Sequence, residues 1–184
     1  METNKIIQAI LRGDKASERK LFDAYANKVY GICRRYSVDD HQAKDFLQEC
    51  FIKLFDKLHK FDAEKGVFDA WMSRVCTNEV LGILRKGKKH KINLVGDDIP
   101  EQVLEVEDFD QISNVELVEA IQKLPPGYKD VLNLFVFEKW SHKDIAHMLN
   151  INEASSRSQY ARAKKLLKKI LIQTIPDIYE RKLV

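Results

Sequence analysis

Apolar residues return every three or four positions along most of this 184-residue chain, the spacing of helices that bury one face. The first half predicts four of them. A short helix covers about 4–12 and ends at Gly13. A second starts at the N-cap Asp14 and runs to about Tyr36, with Phe22, Tyr25, Val29, Tyr30 and Cys33 as its stripe. A third follows Asp39 to about Leu58. Ala43, Phe46, Leu47, Cys50, Phe51, Leu54, Phe55 and Leu58 form its buried side, and Lys44, Gln48, Glu49 and Lys53 face outward. The loop HKFDAEKGVF, broken by Gly66, leads into a fourth helix over about 69–85, and the basic run RKGKKHK closes the half.

The period is lost over 96–111, where GDDIPEQVLEVEDFDQ reads as a mobile acidic linker. Ser113-Asn114-Val115-Glu116 then fits a capping box. Its helix ends before Pro125-Pro126-Gly127, and another covers about 128–138. Ser141-His142-Lys143-Asp144 caps the helix Ile145–Leu149, Asn150-Ile151-Asn152 makes a tight turn, and a last long helix runs from about Glu153 to about Thr174. The expected fold class is all-α: two small helical domains, residues 1–95 and 113–184, joined by the linker 96–112.

Composition agrees, with only 7 Gly and 4 Pro to interrupt helices. The net charge of +3 hides three blocks. Residues 1–96 carry 19 Lys+Arg against 13 Asp+Glu, residues 97–122 carry 9 acids and no base, and residues 123–184 carry 12 bases against 6 acids. Two basic modules of this kind suit a polyanion, although a solvated tether between two ordinary domains has the same charges. Cys33, Cys50 and Cys76 form no CxxC motif and no zinc-finger spacing, and read as reduced, buried thiols. The N-terminus lacks the apolar core of a signal peptide, and no apolar run approaches the roughly 20 residues of a membrane span, so the expected location is the cytoplasm.

Segment 141–165, SHKDIAHMLNINEASSRSQYARAKK, has the requirements of a helix-turn-helix. Ile145, Ala146 and Leu149 supply an apolar face, Ala146 permits close approach, Asn150 tolerates positive φ, and Ile151 plugs the turn. Tyr160, Ala163 and Leu167 fit the inner face of the second helix. Its start, Ser155, Ser156, Arg157, Ser158 and Gln159, reads as short, polar and exposed, as a helix entering the major groove requires. Arginine suits guanine and glutamine suits adenine by paired hydrogen bonds. Arg162, Lys164, Lys165, Lys168 and Lys169 follow, suited to phosphates. A helical hairpin with a merely solvated basic face shares the charge but not the cap, small-residue and turn pattern. His142 and His147 lack metal-ligand spacing and read as surface or partly buried residues. No Gly-rich phosphate loop, nucleophile elbow or metal cluster occurs, so neither catalytic residues nor a cofactor are expected.

Two blocks extend this reading. AKDFLQECFIKLFDKLHKFDAEKGVFDAWMSRVCTNEVLGILRK resembles sigma region two of the extracytoplasmic-function sigma factors, and LPPGYKDVLNLFVFEKWSHKDIAHMLNINEASSRSQYARAKKLLKK resembles sigma region four of the same family. The blocks stand in the family's order and cover most of the chain. The resemblance implies a factor that binds core RNA polymerase and directs promoter-specific initiation. It implies that Asp45, Gln48, Glu49 and Lys53 dock on the polymerase clamp, although simple solvation fits those side chains as well. It implies that the loop 59–68 and the helix after it read and open the −10 element. Phe61, Phe68 and Trp71 would then supply apolar surface, Arg74 and Asn78 polar contacts, and Lys60, Arg85 and Lys86 phosphate contacts; for Trp71, core packing is an equal reading. The helix-turn-helix would read the −35 element. Ser156 stands where many relatives carry Val, and Trp71 lacks the tryptophan neighbour of housekeeping sigma factors. Further implications are an anti-sigma partner, a monomeric free state and a linker threading towards the RNA exit path. The competing reading is a helix-turn-helix regulator, dimeric and independent of the polymerase.

Overall fold

The computed structural model describes residues 2–87 and 112–174. The chain divides into two compact units, Met1–His90 and Lys91–Val184. The fold is all-α, with no strand among the described residues. The basic tail 88–91 and the linker positions 96–111 lie outside the described residues.

The first unit is built from α1 (Glu2–Leu11), α2 (Lys15–Tyr36), α3 (Asp40–Lys57) and α4 (Phe68–Gly87), with a single 3₁₀ turn at Leu58–Lys60. Asp14 caps α2 by accepting the Ala16 N–H at 3.0 Å and the Ser17 hydroxyl at 2.6 Å. Asp39 caps α3 by accepting the Gln42 N–H at 2.8 Å. Each cap satisfies amides that the first turn cannot pair internally. The core is the meeting of α2, α3 and α4, where Leu21, Val29, Cys33, Ala43, Cys50, Leu54, Met72, Cys76 and Val80 are fully buried. Each large aliphatic buried in this way contributes roughly 1.5–3 kcal/mol relative to exposure. All three thiols meet in this core: the Cys33 and Cys50 Sγ atoms lie 3.9 Å apart, and the Cys50 thiol donates to the Cys76 carbonyl at 3.6 Å. That hydrogen bonding, together with burial, pushes the Cys50 thiol far up, against the thiolate form.

The second unit contains α5 (Asn114–Gln122), α6 (Pro126–Leu132), α7 (His142–Leu149) and α8 (Glu153–Thr174). The capping box is complete: the Ser113 hydroxyl accepts from the Glu116 N–H at 3.3 Å, and the Glu116 carboxylate accepts from the Ser113 N–H at 3.0 Å. The core packs Ala120, Ile121, Leu124 and Leu132 against Ala163, Leu167 and Leu171 of α8. The helix expected over 128–138 is not uniform. It starts at Pro126 and widens into a π turn over Asn133–Phe137, where the Glu138 N–H reaches back five residues to the Asn133 carbonyl at 3.2 Å. The chain then leaves through Lys139 at φ 57°, a left-handed residue the sequence pattern did not announce.

Candidate nucleic-acid interface

α7 and α8 meet across a turn whose geometry follows from two residues. Asn150 adopts the left-handed conformation (φ 55°, ψ 48°), and its N–H and that of Ile151 both return to the Ala146 carbonyl. This ends α7 and reverses the chain. Asn152 then caps α8, its side-chain oxygen accepting the Ser155 N–H at 2.6 Å. Ile145 and Ala146 are buried beneath the turn, and Ala163, Leu167 and Leu171 seat the inner face of α8.

The start of α8 is more divided than its polar sequence suggests. Arg157 and Ser158 are exposed. Ser155 and Gln159 are half-buried, and the Gln159 side chain lies back over Gly127 at the start of α6, close enough that a Cβ there would sit 3.4 Å from its Oε1. Ser156, expected on the exposed face, is fully buried. It lies in phase with Tyr160, Ala163, Leu167 and Leu171, on the inner stripe of the helix. The spacing alone places it there: a small polar residue three or four positions before an apolar stripe continues it.

The partner of Ser156 is a residue to which the sequence assigned no task. The His142 Nδ1 lies 2.9 Å from the Ser156 hydroxyl. Its ring stacks on Phe135 at 4.4 Å with the planes 15° apart, and Tyr160 packs 4.5 Å from Phe135. Burial first, and then nearby Arg157, hold the His142 pKa below its ordinary value. The outer side carries charge. The Glu153 carboxylate accepts from the Arg157 guanidinium one turn along the helix. The Lys164 ammonium sits 5.0 Å above the Tyr160 ring, a cation–π contact. Arg162, Lys164 and Lys165 are half-buried, a position in which aliphatic stems pack and charged heads reach water.

In the first unit, the loop before α4 and the start of that helix gather aromatic rings. Phe61, Phe68 and Trp71 have centroids 5.3–5.8 Å apart, and Tyr25 of α2 meets Phe68 edge-on at 5.1 Å. The three expected ring residues are thus together but not equivalent. Phe68 is buried, so it supports the cluster from beneath and offers no free face, whereas Phe61 and Trp71 are half-buried. Val67, which the sequence reading passed over, is 68% exposed beside them. Lys28 and Asp69 form an ion pair that ties α2 to the first turn of α4. Arg74 is exposed on α4, as are Arg85 and Lys86 at its end, and Lys60 is exposed on the preceding turn. Asn78 differs: its side-chain oxygen is buried without a hydrogen-bond partner, so this amide is not presented as Arg74 is.

On α3, Asp45, Gln48 and Glu49 are exposed and Lys53 is half-buried. Asp45 meets His41 at 3.2 Å, and Lys53 meets Asp56 at 3.4 Å. Ile52 stands among them 64% exposed, an apolar residue on a charged face.

Two sequence families match in chain order: Sigma-70 region 2 over residues 21–90 and Sigma-70, region 4 over residues 114–167. The curated relatives include the ECF RNA polymerase sigma factors SigM and SigW of Bacillus subtilis (strain 168), both 27% identical. SigM aligns with 86% of this chain and 97% of its own length, and SigW with 93% and 97%. Among solved structures, the sigma factor RpoE in complex with the anti-sigma factor NepR from Bartonella quintana superposes with a TM-score of 0.54 at 17% identity, over 83% of this chain and 95% of that one; it shows the shared fold. The chain belongs to the sigma-70 family, within its extracytoplasmic-function group. It is a sigma factor: it works with RNA polymerase and directs initiation to promoters. Among the described residues, no helix is long and apolar enough to cross a membrane.

Proposed function

We propose a division of the sigma task among named residues. α8 reads the −35 element through Arg157 and Ser158, flanked by Ser155, Gln159 and Arg162, and Lys164 and Lys165 hold phosphates. Ser156 leaves the base-reading set and becomes part of the support. In the first unit, Phe61, Trp71 and Val67 offer apolar surface to an unstacked base of the −10 element, Phe68 braces them, and Arg74, Lys60, Arg85 and Lys86 neutralise the backbone. Asp45, Gln48, Glu49 and Lys53 on α3 dock the core polymerase, with Ile52 as an apolar contact in their midst. Bond making belongs to the polymerase, and this chain contributes binding energy and selectivity. Its working location is the cytoplasm, it is monomeric when free, and an anti-sigma protein is its expected regulator.

One observation carries this reading. The start of α8 splits into a packed side, held by Ser156 and Tyr160, and an exposed side bearing Arg157 and Ser158. A helix that enters a groove by its N-terminal residues needs that separation. The test is transcription by sigma-free core RNA polymerase on genomic fragments with the purified chain added. Transcript starts sharing a two-part upstream motif are expected. DNA binding as a dimer without new starts would place the protein among ordinary helix-turn-helix regulators.

A further inference from the structure

We infer that His142 is a positioning residue for promoter recognition, acting through Ser156 to set the rotation of α8; the inference rests on the reading of α8 as the −35 helix. Three elements converge on this histidine. It is the first residue of α7, directly after the cap Ser141. Its ring lies flat on Phe135 of the π turn at 4.4 Å, and its Nδ1 reaches the Ser156 hydroxyl at 2.9 Å. Tyr160, one turn further along α8, closes the junction at 5.8 Å from the imidazole and 4.5 Å from Phe135.

Ala163, Leu167 and Leu171 seat α8 by apolar packing, and apolar packing is non-directional. Ile145 and Ala146 hold the helix against α7 while tolerating small rotations. A hydrogen bond between a stacked ring and a fully buried hydroxyl does not tolerate them, because turning α8 about its axis moves the Ser156 oxygen off the imidazole plane. The next residue in sequence is Arg157, exposed about 100° further round the helix. Rotational error at Ser156 therefore becomes lateral error at the guanidinium, and paired contacts to a base edge are sensitive to such displacement. His142 thus governs discrimination between bases more than total affinity, and it does so without touching DNA.

The experiment uses the full chain with core RNA polymerase, a promoter mapped by transcription, and single-base-pair changes in its −35 element. The readout is the ratio of half-saturating holoenzyme concentrations on changed and native promoters. His142→Ala and Ser156→Ala should each lower that ratio about three- to tenfold, a fraction of what one paired base contact supplies. The double variant should lose no more than either single one, because the two residues act as a unit. His142→Asn, which keeps a hydrogen-bonding atom near the Nδ1 position, should restore most of the discrimination. Circular dichroism checks folding; should His142→Ala unfold, Ser156→Ala and His142→Asn carry the comparison. Arg157→Ala separates the two ideas. If Arg157→Ala is base-selective while the His142 and Ser156 variants keep the wild-type ratio, or weaken all promoters evenly, the positioning role is wrong. If Arg157→Ala itself lacks selectivity, the base-reading role of α8 fails and the positioning role with it.

Discussion

The carboxylate of Glu153 holds the guanidinium of Arg157 along the outside of α8. In the free protein, the side chain best suited to a guanine edge is thus already engaged, and by an acid that would face DNA phosphates. An exposed i,i+4 pair contributes only about 0.3–0.5 kcal/mol, so DNA displaces it at low cost. Glu153→Gln is expected to raise affinity for promoter and non-promoter DNA alike, by roughly two- to fivefold at low salt. Titration of labelled duplexes checks this; tighter binding confined to one sequence would show that Glu153 helps to read bases.

Arg157→Ala should cost about 1–3 kcal/mol of binding, concentrated at one base pair of the −35 element. Lys168→Ala should weaken every sequence similarly and flatten the dependence of affinity on salt by about one unit of slope. Competition binding with a panel of single-base variants at several salt concentrations distinguishes the two behaviours.

The aromatic cluster before α4 predicts a separation between stability and opening. Phe68 is 4% exposed, and Phe68→Ala should destabilise the first unit by about 3–5 kcal/mol. Trp71→Ala removes a half-buried ring and should cost less stability but more promoter opening. Thermal unfolding reads the first quantity, and permanganate reactivity of unpaired thymines in the promoter reads the second. A Trp71→Ala protein that opens promoters normally would return the ring to a packing role.

His142 gives the second unit a dependence on pH. Burial, followed by the charge of Arg157, keeps its folded pKa below the ordinary 6.5. Between those two values the unfolded chain binds more protons than the folded one. The stabilisation is therefore fully present above the unfolded pKa and is lost as pH falls through the folded one. Melting temperatures measured from about pH 8 down to about pH 5 should decline more steeply for the wild type than for His142→Asn.

Helix boundaries were legible because the signals that set them are local. Asp14, Asp39, Ser113 and Ser141 each cap the helix that the spacing assigns to them, and Asn150 takes the left-handed turn. Legibility stopped where side chains from different elements meet. The three cysteines look unrelated at positions 33, 50 and 76, and only the packing of α2, α3 and α4 brings them together. Ser156 is short and polar, which suits an exposed face, but its phase on the helix carries it inside. The role of His142 is hidden in the sequence because its partners are 7 and 14 residues away, on elements whose crossing no periodicity reveals. Phe68 and Trp71 carry the same apolar signal in sequence, and only the fold shows that one lies beneath the other.

The π turn at Asn133–Phe137 places one more residue in a helical turn than an α-helix would. Deleting a single residue there would let the segment close as an ordinary α turn and remove the residue that widens it. The turn would narrow, and the Phe135 ring would lose the position from which it stacks on the His142 imidazole although every later residue remained unchanged. A length change in this turn is thus expected to disturb the junction of Phe135, His142 and Ser156. Among variants of this chain, substitution of the partly exposed Phe137 should be better tolerated than an insertion or deletion in those five positions, whereas the fully buried Leu134 should resist both.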